Sequence, residues 1–315
     1  MKKAFSSVIG HSRVLTQFER QIEQDNLAHA FLFMGPNHVG KTTFAKALAK
    51  ELLETTDQLD AQIDYVSVAR AGEGEEKKTM VSVDQIRELR SRMSMSSFSG
   101  GYKVVFIEDA SFLSPAASNA LLKILEEPRG KTVFILRAEH REDLLDTIVS
   151  RCQIFRFYPV SNNEIENGLV QRGLSKPDAA LLSKQSHGRP GVAIRLLKDQ
   201  EYRSAFELEQ VFAQRFFSQE LSGQLSELAH RFSKRSRDHA QLTLLFDRFE
   251  SHLRDMLLDS IGVEDWVCDP KVQGEKDARS IVSALDQLYD SKEKILHHVQ
   301  VLLALEQVAI RFAQR

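Results

Sequence analysis

The sequence predicts an α/β domain built on a parallel sheet, followed by all-α domains. In the first half of the 315 residues, short apolar runs alternate with amphipathic helical patterns, as is typical of a parallel sheet. After Tyr158-Pro159 the strand patterns end and the chain reads as helices. A content of 42% hydrophobic and 27% charged residues supports buried cores and excludes a disordered or fibrous chain.

Five apolar runs in the first half are predicted strands. They are Ala30–Met34, Tyr65–Val68, Lys103–Ile107, Thr132–Leu136 and Ile154–Phe157. The charged, glycine-containing stretch 70–79 is predicted to be an exposed loop. The periodic segments Leu242–Leu258 and Ile295–Phe312 predict long helices near the end of the chain.

Domain boundaries are predicted where these patterns change. The strand pattern stops near residue 160, and the long periodic segments begin beyond about residue 205. We therefore predict an α/β domain over 1–160, a small helical domain over 161–205 and a helical domain over 206–315.

Charge and cysteine content restrict the class of protein. With 42 basic and 44 acidic residues the net charge is −2, which argues against a protein that binds DNA alone through a large positive surface. Cys152 and Cys268 lie far apart without a pairing pattern, as expected of a reduced compartment. No apolar run approaches the roughly 20 residues that span a bilayer. We expect a cytoplasmic protein without a membrane partner.

A phosphate-binding loop follows the first predicted strand and precedes a helical pattern. Its residues are Gly35, Pro36, Asn37, His38, Val39, Gly40, Lys41, Thr42 and Thr43. The spacing G-x-x-x-x-G-K-T lets backbone N–H groups converge on phosphate oxygens, while Lys41 pairs with the β/γ-phosphates and Thr42 can bind Mg²⁺. An accidental glycine turn or a relic loop that binds nothing is the alternative. The flanking strand and helix favour ATP.

Several further motifs occur in a fixed order along the chain. They are Leu27-Ala-His-Ala30, Val83-Asp-Gln-Ile-Arg-Glu-Leu89, the acidic pair Glu108-Asp109 after a strand, Ser118–Pro128 and Ser150-Arg151-Cys152. Together with the phosphate loop, this set resembles the bacterial AAA+ clamp-loader subunits of DNA polymerase III. The resemblance covers residues 1 to about 200. It implies an AAA+ P-loop domain, a helical lid domain over 161–205 and a helical collar domain that forms an oligomer.

Within that family the chain resembles the delta-prime type more than the gamma/tau type. In gamma/tau subunits the strand that corresponds to Lys103–Ile107 is followed by Asp-Glu, whereas in this chain it is followed by Glu108-Asp109. By the resemblance, Thr42 and Glu108 would hold Mg²⁺ with the nucleotide. Asp109 would stand where a catalytic glutamate polarises the attacking water, one methylene shorter than that residue. A displacement near 1 Å can reduce the rate about a hundredfold, which predicts weak hydrolysis.

Two other positions depart from the ATPase pattern of the family. The sensor 1 position, which is Thr or Asn in the family's ATPases, falls near Ala138-Glu139 in this chain. The position of the family's sensor 2 arginine aligns with Gly191. Arg189 and Arg195 flank the second position, and the sequence leaves open whether one of them substitutes.

The resemblance also assigns roles to single residues. Arg151 corresponds to the arginine finger that reaches the γ-phosphate bound by a neighbouring subunit; the alternative is a surface arginine paired with an acid. Val8 and Ile9 correspond to the segment that lines the adenine site, or they are ordinary core residues. Arg87 and Arg90 lie on a helix that faces duplex phosphates in the family; a solvated basic helix face explains them equally well.

The resemblance therefore implies a nucleotide-binding accessory subunit. Its partners would be the gamma/tau and delta subunits, a sliding clamp and primer-template DNA, with ATP and Mg²⁺ as cofactors. Since 52–64 contains no cysteine, the family's four-cysteine zinc module is not expected. The alternatives are a hydrolysing motor of gamma/tau type, a standalone AAA+ repair ATPase and a scaffold without nucleotide.

Overall fold

The chain divides into two compact units, residues 1–194 and 195–315. A computed structural model describes residues 4–72, 80–93, 97–98, 100–232, 239–263, 277–296 and 301–314. The division between the units falls inside a helix, Pro190–Lys198. The three-domain boundaries expected at residues 160 and 205 stay a prediction.

A five-stranded parallel sheet forms the centre of the first unit. Its strands are β1 (Ala30–Met34), β2 (Tyr65–Val68), β3 (Lys103–Ile107), β4 (Thr132–Ala138) and β5 (Gln153–Arg156). Their order is β2-β3-β4-β1-β5, and every neighbouring pair is parallel. This confirms the predicted parallel sheet. β4 continues two residues beyond the predicted end at Leu136, and β5 begins and ends one residue earlier than expected.

Eight α-helices accompany the sheet in the described part of this unit and its boundary. They are α1 (Ser12–Glu23), α2 (Lys41–Leu52), α3 (Val83–Met93), α4 (Pro115–Glu126), α5 (Asp146–Val149), α6 (Asn162–Val170), α7 (Lys176–Gln185) and α8 (Pro190–Lys198). Local sequence sets several of their ends. The Ser114 hydroxyl accepts a hydrogen bond from Ala117 N and Pro115 occupies the first turn, so α4 begins there; it ends before Pro128.

The two faces of the sheet pack into separate cores, because successive strand residues point to opposite sides. On β1, Leu32 joins a core with α3, α4 and α5, while Phe31 and Phe33 join a core with α1 and α2. Phe18 of α1 is fully buried in the second core, and its ring centroid lies 4.3 Å from that of Phe155 and 4.9 Å from that of Phe31.

The described part of the second unit is helical and has its own core. After the end of α8 it contains α9 (Gln200–Phe217), α10 (Leu221–Phe232), α11 (His239–Ser260), α12 (Ala278–Leu296) and α13 (Val301–Ala313). Phe216, Phe249 and Leu305 are fully buried in that core. This confirms the predicted helical character of the second half.

Two segment predictions are only partly covered by the described residues. The predicted loop 70–79 is described as far as Gly72, and 73–79 lie outside the described residues. The periodic segment Ile295–Phe312 was predicted as one helix; α12 ends at Leu296 and α13 begins at Val301, with 297–300 outside the described residues. Within the described ranges, no helix combines the length and apolar character needed to cross a membrane.

Replacing Phe18 with Ala should lower the free energy of unfolding by about 3–5 kcal/mol, because it empties a ring-sized volume between α1 and the sheet. Gln17→Ala, at an exposed position on the same helix, is the matched control and should change the free energy by less than about 0.5 kcal/mol. Urea denaturation of the full chain followed by circular dichroism measures both. Equal midpoints for the two variants would contradict the described core.

Candidate functional site

The loop between β1 and α2 has the backbone of a phosphate cradle. Gly35 has φ 138° and Gly40 has φ 113°, values that L side chains rarely adopt. A Cβ on Gly35 would lie 2.1 Å from the carbonyl oxygen of Phe157, so glycine is required there on steric grounds as well. The loop ends at Lys41, the first residue of α2, whose N-terminal N–H groups favour bound anions.

Lys41 is buried inside this loop. Its ammonium group donates hydrogen bonds to the carbonyl oxygens of Gly35 and, at 2.7 Å, of Pro36. Burial lowers the pKa of Lys41 to about 8, although the nearby Glu139 carboxylate opposes the shift. The structure thus holds a cation at the position where the spacing predicted a phosphate partner.

Two contacts within the first unit brace the phosphate loop from outside. The His11 Nε2 atom lies 2.8 Å from the carbonyl oxygen of Val39, and its ring packs edge-on against Phe157. Gly191, near the start of α8, donates its backbone N–H to the carbonyl oxygen of His38 at 2.8 Å. A Cβ on Gly191 would lie 2.8 Å from that same oxygen. The loop backbone therefore lies where a side chain at 191 would extend.

The glycine at the expected sensor 2 position thus has a structural reason. Its close backbone contact with the loop leaves no space for an arginine at 191. Of the two flanking arginines, Arg195 pairs with Asp199 at 3.3 Å and lies 4.0 Å over the ring of Tyr202.

The acidic pair after β3 divides into two different environments. Asp109 is buried and accepts a hydrogen bond from the backbone N–H of Arg70 at 3.1 Å; the Arg70 Nε atom lies 3.5 Å away. The Glu108 carboxylate accepts a hydrogen bond from the Ser67 hydroxyl of β2 at 2.8 Å. Asp109 is therefore the member of the acidic pair that is buried away from water.

Arg137 joins the phosphate loop to the acidic pair. Its Nε donates to the Glu108 carbonyl oxygen at 2.6 Å, one terminal nitrogen donates to the Thr42 hydroxyl at 2.9 Å, and the other pairs with Asp109 at 3.3 Å. The sequence analysis did not single out this residue. The signal that could have found it is a single arginine within the otherwise apolar run 133–138, beside the sensor 1 position.

The residues at the sensor 1 position differ from one another in placement. Ala138 is buried in the core formed with α3, α4 and α5. The exposed Glu139 accepts a hydrogen bond from the Asn37 side chain of the phosphate loop. Neither offers the neutral hydrogen-bond donor that Thr or Asn would supply there.

The residues of this site fit the phosphates of a nucleotide but do not fit a metal ion. The positive-φ glycines, the N-terminus of α2 and the buried Lys41 fit phosphate oxygens. A magnesium ion in a P-loop ATPase is held by the loop Ser/Thr hydroxyl and an acid after the strand corresponding to β3, which by the resemblance are Thr42 and Glu108. Here the Thr42 hydroxyl accepts a hydrogen bond from the Arg137 guanidinium. The Glu108 carboxylate is bound by the Ser67 hydroxyl, and Arg137 donates to the Glu108 carbonyl oxygen. In this arrangement the residues do not fit Mg²⁺.

Arg151, the predicted arginine finger, lies on the surface after α5. One terminal nitrogen of Arg151 pairs with Glu126 at 2.5 Å, and the other donates to the Thr147 carbonyl oxygen at 2.9 Å. The Arg151 side chain is 35% exposed. The neighbouring Cys152 is partly buried against the core, and burial raises the pKa of its thiol to about 12. The Arg151 side chain is therefore accessible to another chain.

The remaining predicted site residues lie in three places. Ile9 is buried and would lie 2.8 Å from a Cβ on Gly168 of α6, while Val8 packs at the edge of the core with α1 and α2. Thr43, in the first turn of α2, is exposed. Arg87 and Arg90 are exposed on α3, and Arg87 pairs with Asp84 at 2.9 Å. The phosphate-loop residues and the acidic pair meet at one edge of the sheet; Arg151, Arg87 and Arg90 lie apart from it as surface residues.

A family model and several known proteins are similar in sequence to this chain. A family model described as DNA polymerase III, delta subunit, matches residues 10–161. The delta-prime subunit of Bacillus subtilis is 30% identical over 211 residues, and that of Escherichia coli is 33% identical over 190 residues. Each alignment covers 60% of this chain, and they span 60% and 55% of those proteins. The tau subunit of Bacillus subtilis is 30% identical over 169 residues, which is 51% of this chain and 30% of that protein.

A solved structure supports the fold. The gamma subunit-related protein of DNA polymerase III from Thermotoga maritima aligns with a TM-score of 0.50 and 20% identity, covering 94% of this chain and 98% of that one. The parallel sheet with a phosphate loop after β1 and the helical second unit thus share the fold of that protein. Residues 10–161 are thus similar to the family described as DNA polymerase III, delta subunit, and delta-prime proteins are among the relatives of this chain.

Proposed function

We propose that this protein is a delta-prime-like subunit of a cytoplasmic clamp loader that binds ATP and hydrolyses it poorly. The nucleotide phosphates would lie on the loop 35–42, with Lys41 as their cationic partner and Thr43 in the first turn of the helix behind them. Val8 and Ile9 would border the adenine. With gamma/tau and delta subunits, the protein would help to place a sliding clamp on primer-template DNA. Relatives named delta-prime and tau support this assignment.

One observation carries the proposal: an intact phosphate loop stands beside an acid that is already neutralised. Lys41, Gly40 and α2 retain the features that bind phosphate. Asp109, the residue expected to polarise water, is buried between Arg70 and Arg137. A carboxylate that is engaged by two guanidinium groups is a weak acceptor for a water proton, because protonating it would break both ion pairs. Binding without efficient hydrolysis follows.

Arg151 gives such a subunit a use in catalysis. Its guanidinium pairs with Glu126 on the surface, and exposed ion pairs are weak enough to be exchanged for a stronger anion. A γ-phosphate on a neighbouring subunit is such an anion. An arginine supplied in trans stabilises charge in the transition state and raises the rate by about 10³–10⁵.

Contact with DNA would come from α3. Arg87 and Arg90 are exposed there, and the Arg87–Asp84 pair joins side chains that are 70% and 81% exposed. A pair with so much water around it does little to hold the arginine in place. Phosphate contact by these residues fits a net charge of −2, because the other subunits would share the DNA surface.

ATP turnover by the reconstituted loader, with clamp and primer-template, distinguishes the accessory role from the motor role. Arg151→Ala should lower turnover at the neighbouring site by about 10³-fold or more. Lys41→Ala should change it little, since this subunit contributes little hydrolysis. Arg141→Ala, another surface arginine with an acidic partner, Asp146 at 3.1 Å, is the matched control and should behave as wild type.

The reverse pattern would mean that the chain is a hydrolysing motor of gamma/tau type. Failure of the purified chain to assemble with gamma/tau and delta, with its own ATPase activity intact, would support a standalone AAA+ ATPase instead. Loss of turnover by Arg151→Ala must be measured on an assembled complex, so size-exclusion chromatography of each variant accompanies the assay.

Charge reversal at Arg87 tests the DNA contact. In the assembled loader, Arg87→Glu should weaken primer-template binding and reduce the slope of log affinity against log salt by about 1, because one phosphate contact is lost. Arg13→Glu, at an exposed position on α1, controls for net charge. An unchanged salt slope for Arg87→Glu would reject the proposed contact.

A further inference from the structure

We infer that the guanidinium group of Arg137 takes the place of Mg²⁺ in this nucleotide site, so that the protein binds ATP without a metal ion. The inference rests on the proposed nucleotide binding and concerns how the charge of the phosphates is balanced. It makes Arg137 a binding residue for the triphosphate.

Arg137 contacts both motifs that hold the metal ion in P-loop ATPases. These are the loop hydroxyl and the acidic residues after the strand that runs beside the loop strand's neighbour. In this chain they are Thr42 and the pair Glu108-Asp109 after β3. One guanidinium reaches Thr42 and Asp109, at 2.9 Å and 3.3 Å, and adds the Glu108 carbonyl oxygen at 2.6 Å. All three acceptors of one cation belong to the two motifs that normally share the metal.

The sheet explains why Arg137 reaches this point. β4 lies between β1, which leads into the phosphate loop, and β3, which leads into the acidic pair. Arg137 is in register with Phe33 of β1, one residue before that strand ends. Val133 and Ile135 of β4 pack on the α2 side of the sheet, so the alternation of a strand points Arg137 to the side where α2 begins. The side chain therefore lies beside both motifs without any loop rearrangement.

The charges in this place leave little room for a second cation. Arg137 and Arg70 both approach the single Asp109 carboxylate, and Lys41 lies in the adjoining loop. Mg²⁺ bound at Thr42 would have to displace a guanidinium that is always charged, or lie within a few ångströms of it. In a partly buried site such repulsion is weakly screened.

Arg137 also keeps donors for a ligand. A guanidinium carries five N–H groups, and within the described residues three of them make the hydrogen bonds given above. The two N–H groups that remain match phosphate oxygens, for which arginine is well suited. Unlike Mg²⁺, a guanidinium has no bound water and cannot act as a Lewis acid toward the γ-phosphate. Tight binding with slow hydrolysis is the expected combination.

The test is the affinity of the full-length chain for the slowly hydrolysed analogue ATPγS, measured by isothermal titration calorimetry in excess Mg²⁺ and in excess EDTA. Wild type should bind in EDTA as tightly as in Mg²⁺, within about threefold, or more tightly. Arg137→Met, which keeps an unbranched side chain but removes its charge and its hydrogen-bond donors, should bind about ten- to a hundredfold more weakly in EDTA and recover in Mg²⁺. Arg156→Met, an exposed arginine at the end of β5, is the matched control and should behave as wild type.

Two results would overturn the inference while leaving nucleotide binding intact. One is a wild-type affinity that falls more than about threefold when Mg²⁺ is removed; the other is an Arg137→Met variant that binds in EDTA as wild type does. If wild type binds no ATPγS in either buffer, the proposed nucleotide binding itself fails, and the inference fails with it. Circular dichroism melting of each variant identifies unfolding, and the wild-type comparison decides the matter even if Arg137→Met does not fold.

Discussion

The carboxyl ends of β1, β3 and β4 meet at one edge of the sheet, and the candidate site depends on that meeting. Parallel strands end on the same side, so the segments that follow them are brought together even though they are far apart in sequence. The loop 35–42, the acidic pair Glu108-Asp109 and Arg137 come from three different strands. Side chains buried on both faces keep these strand ends in register. A shift of one strand by one residue would send Arg137 to the opposite face.

Backbone packing imposes a second constraint on the same edge. Gly35 lies against the carbonyl oxygen of Phe157, and Gly191 donates a hydrogen bond to the carbonyl oxygen of His38. These contacts support the loop from two directions, but they exclude side chains at both glycines. The absence of an arginine at 191 is therefore more than a missing catalytic group. It is a condition for the close approach of α8 to the phosphate loop.

Electrostatic balance links the structure of the site to its proposed chemistry. A buried carboxylate needs a partner, and Asp109 has two arginine neighbours. The same pairing that makes its burial tolerable removes it as an acceptor for a water proton. Lys41 remains inside the loop with a lowered pKa, held by carbonyl oxygens that a phosphate group would replace. The site is thus arranged to receive negative charge, while its catalytic acid is occupied.

The sequence by itself determined the parallel sheet, most strand limits and the phosphate loop, because apolar periodicity and the G-x-x-x-x-G-K-T spacing are local properties of the chain. It also indicated that Gly191 and Ala138 depart from an ATPase pattern. Only the tertiary structure decided the role of Arg137, since its partners Thr42 and Asp109 lie 95 and 28 positions away in sequence. The reason for a glycine at 191 could not be predicted from the sequence either, because periodicity and composition do not report a backbone contact with His38. Local patterns predict the strands and the loop; which side chains meet at the ends of the strands follows from how those strands are ordered in the sheet.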